Sequence, residues 1–152
     1  MIDDLKFLLQ RDLTALRHEV EQYPDDASLW RVLPGTANPA GNLALHVAGN
    51  LQTFLGAQLA HTGYVRDRDR EFSVRGLPRA EVLRELDAAA QAVDAGIAAL
   101  ELEPAALDQQ IPAHHGGQTL TLRRSLMSIA SHLAYHLGQV NYHRRMATQQ
   151  PA

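Results

Sequence analysis

Apolar residues recur at helical spacing in four long stretches of the chain. In the first, Ile2, Leu5, Leu9, Leu13, Leu16 and Val20 share one face, while Asp3, Asp4, Lys6, Arg11, Arg17 and Glu21 occupy the others. Steps of three and four residues predict an amphipathic helix over residues 2 to about 22, ended before Pro24. Asn38-Pro39 supplies an N-cap followed by a first-turn proline. It opens a second helix that carries Val47, Leu51, Phe54 and Leu55, reaches about Ala60 and stops at Gly63. A third helix spans 78–103, with Val82, Leu86, Ala90, Val93, Ile97 and Leu100 as its stripe and Pro104 beyond its end. The fourth runs from about Thr121 to Ala147 on Leu122, Leu126, Ile129, Leu133, Leu137 and Val140, with Arg144 and Arg145 complementing the dipole of its last turn.

The intervening segments read differently. Residues 24–38 form a loop in which Trp30 is expected to cap one end of the core. Residues 64–77 are a connector dense in alternating charge, which reads as solvated. Residues 104–120 are irregular, with room for a short hairpin.

Four amphipathic helices without strand patterning of weight predict an all-α four-helix bundle. The 152 residues are expected to make a single domain, 1–152. Extended, the 64–77 connector reaches up to about 46 Å, and a helix of the predicted length is about 36 Å long. The connector can therefore cross the whole bundle and let consecutive helices run parallel. Charge divides the helices unequally: the second helix, and the fourth from Ser125 to His143, carry none. Such helices are expected to be covered on more than one side, and a homodimer interface would supply that cover.

Composition narrows the class. A hydrophobic fraction of 45% supports a globular core over disorder, and a net charge of −3 offers no electrostatic footprint for nucleic acid. The chain has no cysteine, so any sulfur chemistry needs a thiol from outside. From Val32 to Val65 there is no charged residue, yet Pro34, Asn38, Pro39, Asn42, His46, Asn50 and Gln52 interrupt any membrane-length apolar run. The start, Met1-Ile-Asp-Asp-Leu5, is unlike a secretory signal, and a cytoplasmic protein is expected.

The chemistry concentrates in histidine. His132 and His136 are four apart in the fourth helix and project from one side, on the flank of its apolar stripe. Two imidazoles so spaced can hold one divalent ion at roughly 2.0–2.1 Å, although two hydrogen-bonded residues at the core edge give the same pattern. His46, on the flank of the second helix, completes a three-imidazole site if the two helices are neighbours. Three protein ligands leave coordination positions open, the arrangement that catalysis uses. Asn50, Tyr135 and Gln139 are placed to orient the imidazoles. His143 is two turns beyond His136, roughly 10 Å away and too far for the same ion. His18 and His61 read as surface residues. Arg66, Arg68 and Arg70 read as solvated connector charges, or as a greeting for an anionic cosubstrate.

Leu45-His46 followed by Ala48-Gly49-Asn50, together with His132-Leu-Ala-Tyr-His136-Leu-Gly-Gln139, resembles the DinB-like (DinB/YfiT) family of four-helix-bundle metalloenzymes. The similarity in motif order and separation covers nearly the whole chain, and the Arg66–Phe72 connector is similar to one branch of the family. The resemblance implies an up-down-down-up bundle with a long crossover between helices two and three. It also implies a divalent metal, often zinc or nickel, on three His that map onto His46, His132 and His136. Some members of the family use low-molecular-weight thiols such as bacillithiol, mycothiol or glutathione.

The expected function is therefore metal-dependent transfer of a low-molecular-weight thiol to an electrophilic small molecule. Two other readings stand beside it. One is a metal-dependent hydrolase, which wants a general base that the uncharged helices lack, although His114, His115 or a connector carboxylate could reach in. The other is a non-catalytic metal-binding stress-response protein.

Overall fold

The computed structural model describes residues 1–112 and 119–149. His114 and His115 therefore lie outside the described residues. What is described is mostly helical, and the long helices begin and end close to the predicted boundaries. Helix α1 spans Ile2–Glu21 and buries Leu5, Leu9, Leu13, Leu16 and Val20, the stripe read from its sequence. The loop that follows is not wholly irregular. Asp25 accepts a hydrogen bond from Ser28 N at 2.7 Å and starts a one-turn helix, α2, over Asp26–Leu29. Trp30 ends that turn, is buried, and donates from Nε1 to the Leu77 carbonyl at 2.8 Å, so it closes the core beneath the start of the third long helix.

Helix α3 covers Ala40–Leu51, and every one of its residues is buried. The chain then continues as a π-helical segment over Gln52–Leu59, where regular α-helix was expected to Ala60. At the junction the Thr53 hydroxyl bonds the Gly49 carbonyl at 2.7 Å, a side-chain insertion of the kind that widens or bends a helix. The wide segment packs on α5, and Gly96 admits it: a Cβ there would stand 2.6 Å from the Leu55 carbonyl oxygen.

The charged connector contains a short helix, α4, over Arg68–Ser73, with Asp67 accepting from Arg70 N at 2.9 Å at its start. It is not solvated throughout: Glu71 is 5% exposed, because α4 lies on α3. The cover expected of a second copy is thus supplied for α3 by α4, α5 and α6 of the same chain. Helix α5 spans Arg79–Leu102. Strands β1 (Gln110–Pro112) and β2 (Thr119–Thr121) pair antiparallel, the hairpin for which the sequence left room. Thr121 caps α6, Leu122–Ala147, by accepting from Arg124 N at 3.3 Å.

Helix α1 packs against α5 and α6, and α3 packs against the same two. Gln10 bonds Asp94 and Arg17 bonds Asp87 across the α1–α5 seam. Arg123 meets Met1 and Asn141 bonds Glu19 across the α1–α6 seam. One buried apolar cluster draws on all four long helices. The α3–α6 contact brings the second helix beside the fourth, which is the condition the three-imidazole site requires. Among the described residues, no helix is long and apolar enough to cross a membrane.

Candidate metal centre

His46 points from α3 and His132 and His136 from α6, and their Nε2 atoms converge. His46 Nε2 lies 3.1 Å from His132 Nε2, which lies 3.1 Å from His136 Nε2. One ligand atom from each ring lies within 4.8 Å of the others, so the group could hold a metal ion. Tetrahedral or facial-octahedral binding at 2.0–2.1 Å needs nitrogens about 2.9–3.4 Å apart, and the two short separations fall in that range. The rings stand nearly edge to face, at interplanar angles of 77°, 84° and 85°. The rings therefore do not stack on one another.

The outer nitrogens explain why Nε2 faces inward. His136 Nδ1 donates to Gln139 Oε1 at 2.7 Å, and Gln139 Nε2 in turn bonds the Tyr135 hydroxyl at 3.2 Å. This fixes the orientation of the carboxamide and leaves His136 Nε2 unprotonated. Two residues expected to orient the imidazoles thus form a chain leading to one of them. Burial pushes the His136 pKa below the ordinary imidazole value, and the Gln139 bond opposes this without cancelling it. A neutral imidazole is the form that ligates a metal. Asn50, the third such residue, is buried one turn after His46, and its Oδ1 has no hydrogen-bond partner among the described residues.

The sequence reading missed the partner of His46. Glu71 Oε2 lies 3.0 Å from His46 Nδ1, and Arg66 bonds both carboxylate oxygens, Nε to Oε1 at 2.7 Å and Nη2 to Oε2 at 2.9 Å. Burial raises the Glu71 pKa, but the hydrogen bonds from His46 and Arg66 together outweigh it and hold the carboxyl below the ordinary range. The carboxylate is acceptor-only, so the proton on this contact belongs to His46 Nδ1; Arg66 Nη2, also a donor, stands 3.2 Å from the same nitrogen, farther than its 2.9 Å bond to Oε2. In the neutral ring with its proton on Nδ1, Nε2 carries the lone pair. Arg66 is thereby engaged inside the site. Arg68 is exposed, with its guanidinium carbon 5.2 Å from the centre of the Phe72 ring, and that ring packs 4.8 Å from the imidazole of His46.

His143 is not part of the cluster. It is buried between Tyr23 and the Arg31 carbonyl, each at 2.7 Å. His18 and His61 are exposed, as expected of surface residues.

No curated protein matches this chain. A crystal structure of a DinB-like protein from Bacillus cereus ATCC 10987 superposes with a TM-score of 0.66 at 18% sequence identity, covering 95% of this chain and 94% of that one, which is a likeness of fold. The sequence profile of the DinB superfamily matches residues 8–140, a span that includes all three imidazoles and the connector. The chain belongs to the DinB superfamily.

Proposed function

We propose that His46, His132 and His136 hold a divalent metal ion, zinc or nickel, and that the protein transfers a low-molecular-weight thiol to an electrophilic small molecule. The observation that carries this reading is the convergence of three Nε2 atoms at 3.1 Å steps. Imidazole donors suit zinc and nickel among divalent ions. Three neutral ligands leave the positive charge of such an ion uncompensated, which favours an anion at an open position. A divalent ion held by these three imidazoles would supply the positive charge that lowers the pKa of an incoming thiol, so that the thiolate would be the species offered to the electrophile. With no cysteine in the chain, that thiol comes from solution. The protein's own part is to aim the imidazoles, through Gln139 on one side and Glu71 on the other.

Glu71 also bears on the hydrolytic reading. A connector carboxylate does reach the site, but Arg66 and His46 occupy both its oxygens. It is therefore not a free base for activating water, and thiol transfer is favoured over hydrolysis. The test is elemental analysis of protein purified without an affinity tag, followed by thiol consumption with an epoxide or chloronitrobenzene. Turnover should require metal and vanish in His46→Ala. Equal rates with metal-free protein would reject thiol transfer, and saturable metal binding with no turnover would favour the stress-response reading.

Residues 1–152 are read as one domain, supported by the buried cluster that draws on all four long helices among the described residues. The long helices are read as up-down-down-up. The pairs Gln10–Asp94 and Arg17–Asp87 support antiparallel α1 and α5, and Met1–Arg123 and Glu19–Asn141 support parallel α1 and α6. Gln52–Glu85 and the approach of Gly56 to Ala92 support parallel α3 and α5. A homodimer is read from the charge-free stretch of α6, which exposes Met127, Tyr135 and Tyr142. A monomer in light scattering at working concentration would count against it.

A further inference from the structure

The connector does more than join two helices. Three separate features bring one of its side chains to His46. Asn42, fully buried on α3, donates from Nδ2 to the carbonyls of Glu71 at 2.7 Å and Val74 at 2.9 Å, which fixes the backbone of α4 at Glu71 itself. Gly49 leaves the space for the carboxylate, since a Cβ there would collide with Glu71 Oε1. Arg66 grips both oxygens and so sets the rotation of the group, with Oε2 3.0 Å from His46 Nδ1; Arg66 Nη2 stands farther from that nitrogen, at 3.2 Å, and also reaches the His46 carbonyl at 3.5 Å. An ion pair between Arg66 and Glu71 needs none of this on a solvated surface. Burying it carries a desolvation cost that a merely structural pair does not recover well.

We propose that Glu71 is a positioning residue of the metal centre: it holds the Nδ1–H of His46, so that Nε2 faces His132 and His136, and the connector is folded onto α3 to deliver it. The inference rests on the three-imidazole cluster being a metal site. A carboxylate behind a ligating imidazole fixes its tautomer and ring orientation and raises its basicity, and loss of such a group typically weakens metal binding about 10–100-fold. Gln139 plays the same part for His136 from within α6. Glu71 differs in coming from a separate element, so occupancy of the site and folding of α4 are coupled.

The tautomer can be read without any metal. In metal-free protein with nitrogen-labelled histidine, NMR should show His46 protonated at Nδ1. Glu71→Ala should give a mixture of tautomers, while Glu71→Gln, whose carbonyl can still accept, should retain the Nδ1–H form in large part. Zinc affinity measured by competition with a chelating dye should fall about 10–100-fold in Glu71→Ala, with Glu71→Gln intermediate. Asp87→Asn, which breaks the exposed pair with Arg17, should bind zinc as wild type does and separates lost stability from lost positioning. Should Glu71→Ala fail to fold, Glu71→Gln carries both readouts. Wild-type His46 protonated at Nε2, or zinc affinity unchanged in the Glu71 variants, would overturn the proposal while leaving the metal reading intact. Wild-type protein with no affinity for zinc, nickel or other divalent ions would overturn the metal reading, and the positioning role with it.

Discussion

Gly49 and Glu71 share one volume: the carboxylate oxygen Oε1 of Glu71 lies where the Cβ of any other residue at position 49 would stand. Inside a helix, glycine costs about 1 kcal/mol relative to alanine, so Gly49→Ala would stabilise α3 if propensity alone decided. The clash reverses the sign. Glu71 is buried and gripped by Arg66 and His46, so it cannot step aside without breaking those bonds. The expected net loss is about 1–3 kcal/mol, measured by urea unfolding. A variant as stable as wild type would show that the carboxylate moves freely.

The three imidazoles were legible because helical spacing is local: His132 and His136 share a face by their numbers, and His46 sits on the flank of a helix predicted from its own period. Gln139 was legible on the same ground, since it lies one turn from His136. Glu71 was not. In sequence it is one charge among Arg66, Asp67, Arg68, Asp69 and Arg70, and alternating charge at that density ordinarily stays in water. Its burial depends on Asn42, Gly49 and Arg66, residues far from it along the chain or without distinguishing chemistry of their own. The glycine in a fully buried helix, one turn from His46, was the available signal of a close approach. The π-helical segment was illegible for a related reason. Its width is tied to the fit of Leu55 against Gly96 on another helix, which periodicity within 52–59 does not encode.

Metal should act as a folding ligand. A ligand that binds only the native state stabilises it by about 2.7 kcal/mol at one hundred times its dissociation constant. Zinc or nickel added to metal-free protein should raise the thermal midpoint, and a chelator should reverse the gain. His132→Ala removes the middle nitrogen, the one within 3.1 Å of both others, and should abolish the shift. Differential scanning calorimetry checks both, and a shift retained in the variant would place the ion elsewhere.

Trp30 and Gly41 should report on the closed end of the core. A Cβ on Gly41 would come within 2.7 Å of the Trp30 ring, and that ring is tied through Nε1 to the Leu77 carbonyl. Gly41→Ala should push the indole outward and cost about 1–3 kcal/mol. The chain has one tryptophan, so its fluorescence reads this site alone. A red-shifted emission is expected, and an unchanged spectrum together with unchanged stability would mean that the ring adjusts in place.

Stability should fall on the acid side because of His143. The ring is 4% exposed; Nε2–H donates to the Arg31 carbonyl and Nδ1 accepts from the Tyr23 hydroxyl, each at 2.7 Å. A second proton would force the Tyr23 hydroxyl to turn, accepting from Nδ1–H and donating instead to the Val140 carbonyl at 3.5 Å, a weaker bond. Burial lowers the His143 pKa; the Arg31 carbonyl opposes this and the Arg31 charge adds to it. In the unfolded chain the group returns to about 6.5. Between the two values the unfolded state binds more protons. The contribution is therefore full above about pH 6.5 and is lost as pH falls through 6.5 towards the folded value. Glu19, on the neighbouring face of α1, does not blur this window. Burial raises its pKa, but hydrogen bonds from Arg144 and Asn141 hold it below the ordinary carboxylate range. His136 contributes in the same direction in metal-free protein, so the comparison must be between variants. His143→Gln can still accept from Tyr23 and donate to the Arg31 carbonyl, and should cost about 1 kcal/mol near neutral pH. Urea unfolding at about pH 7.5 and 5.5, either side of the ordinary imidazole value, should show a smaller acid loss in His143→Gln than in wild type. Equal losses would mean that the charge on His143 is not what folding excludes.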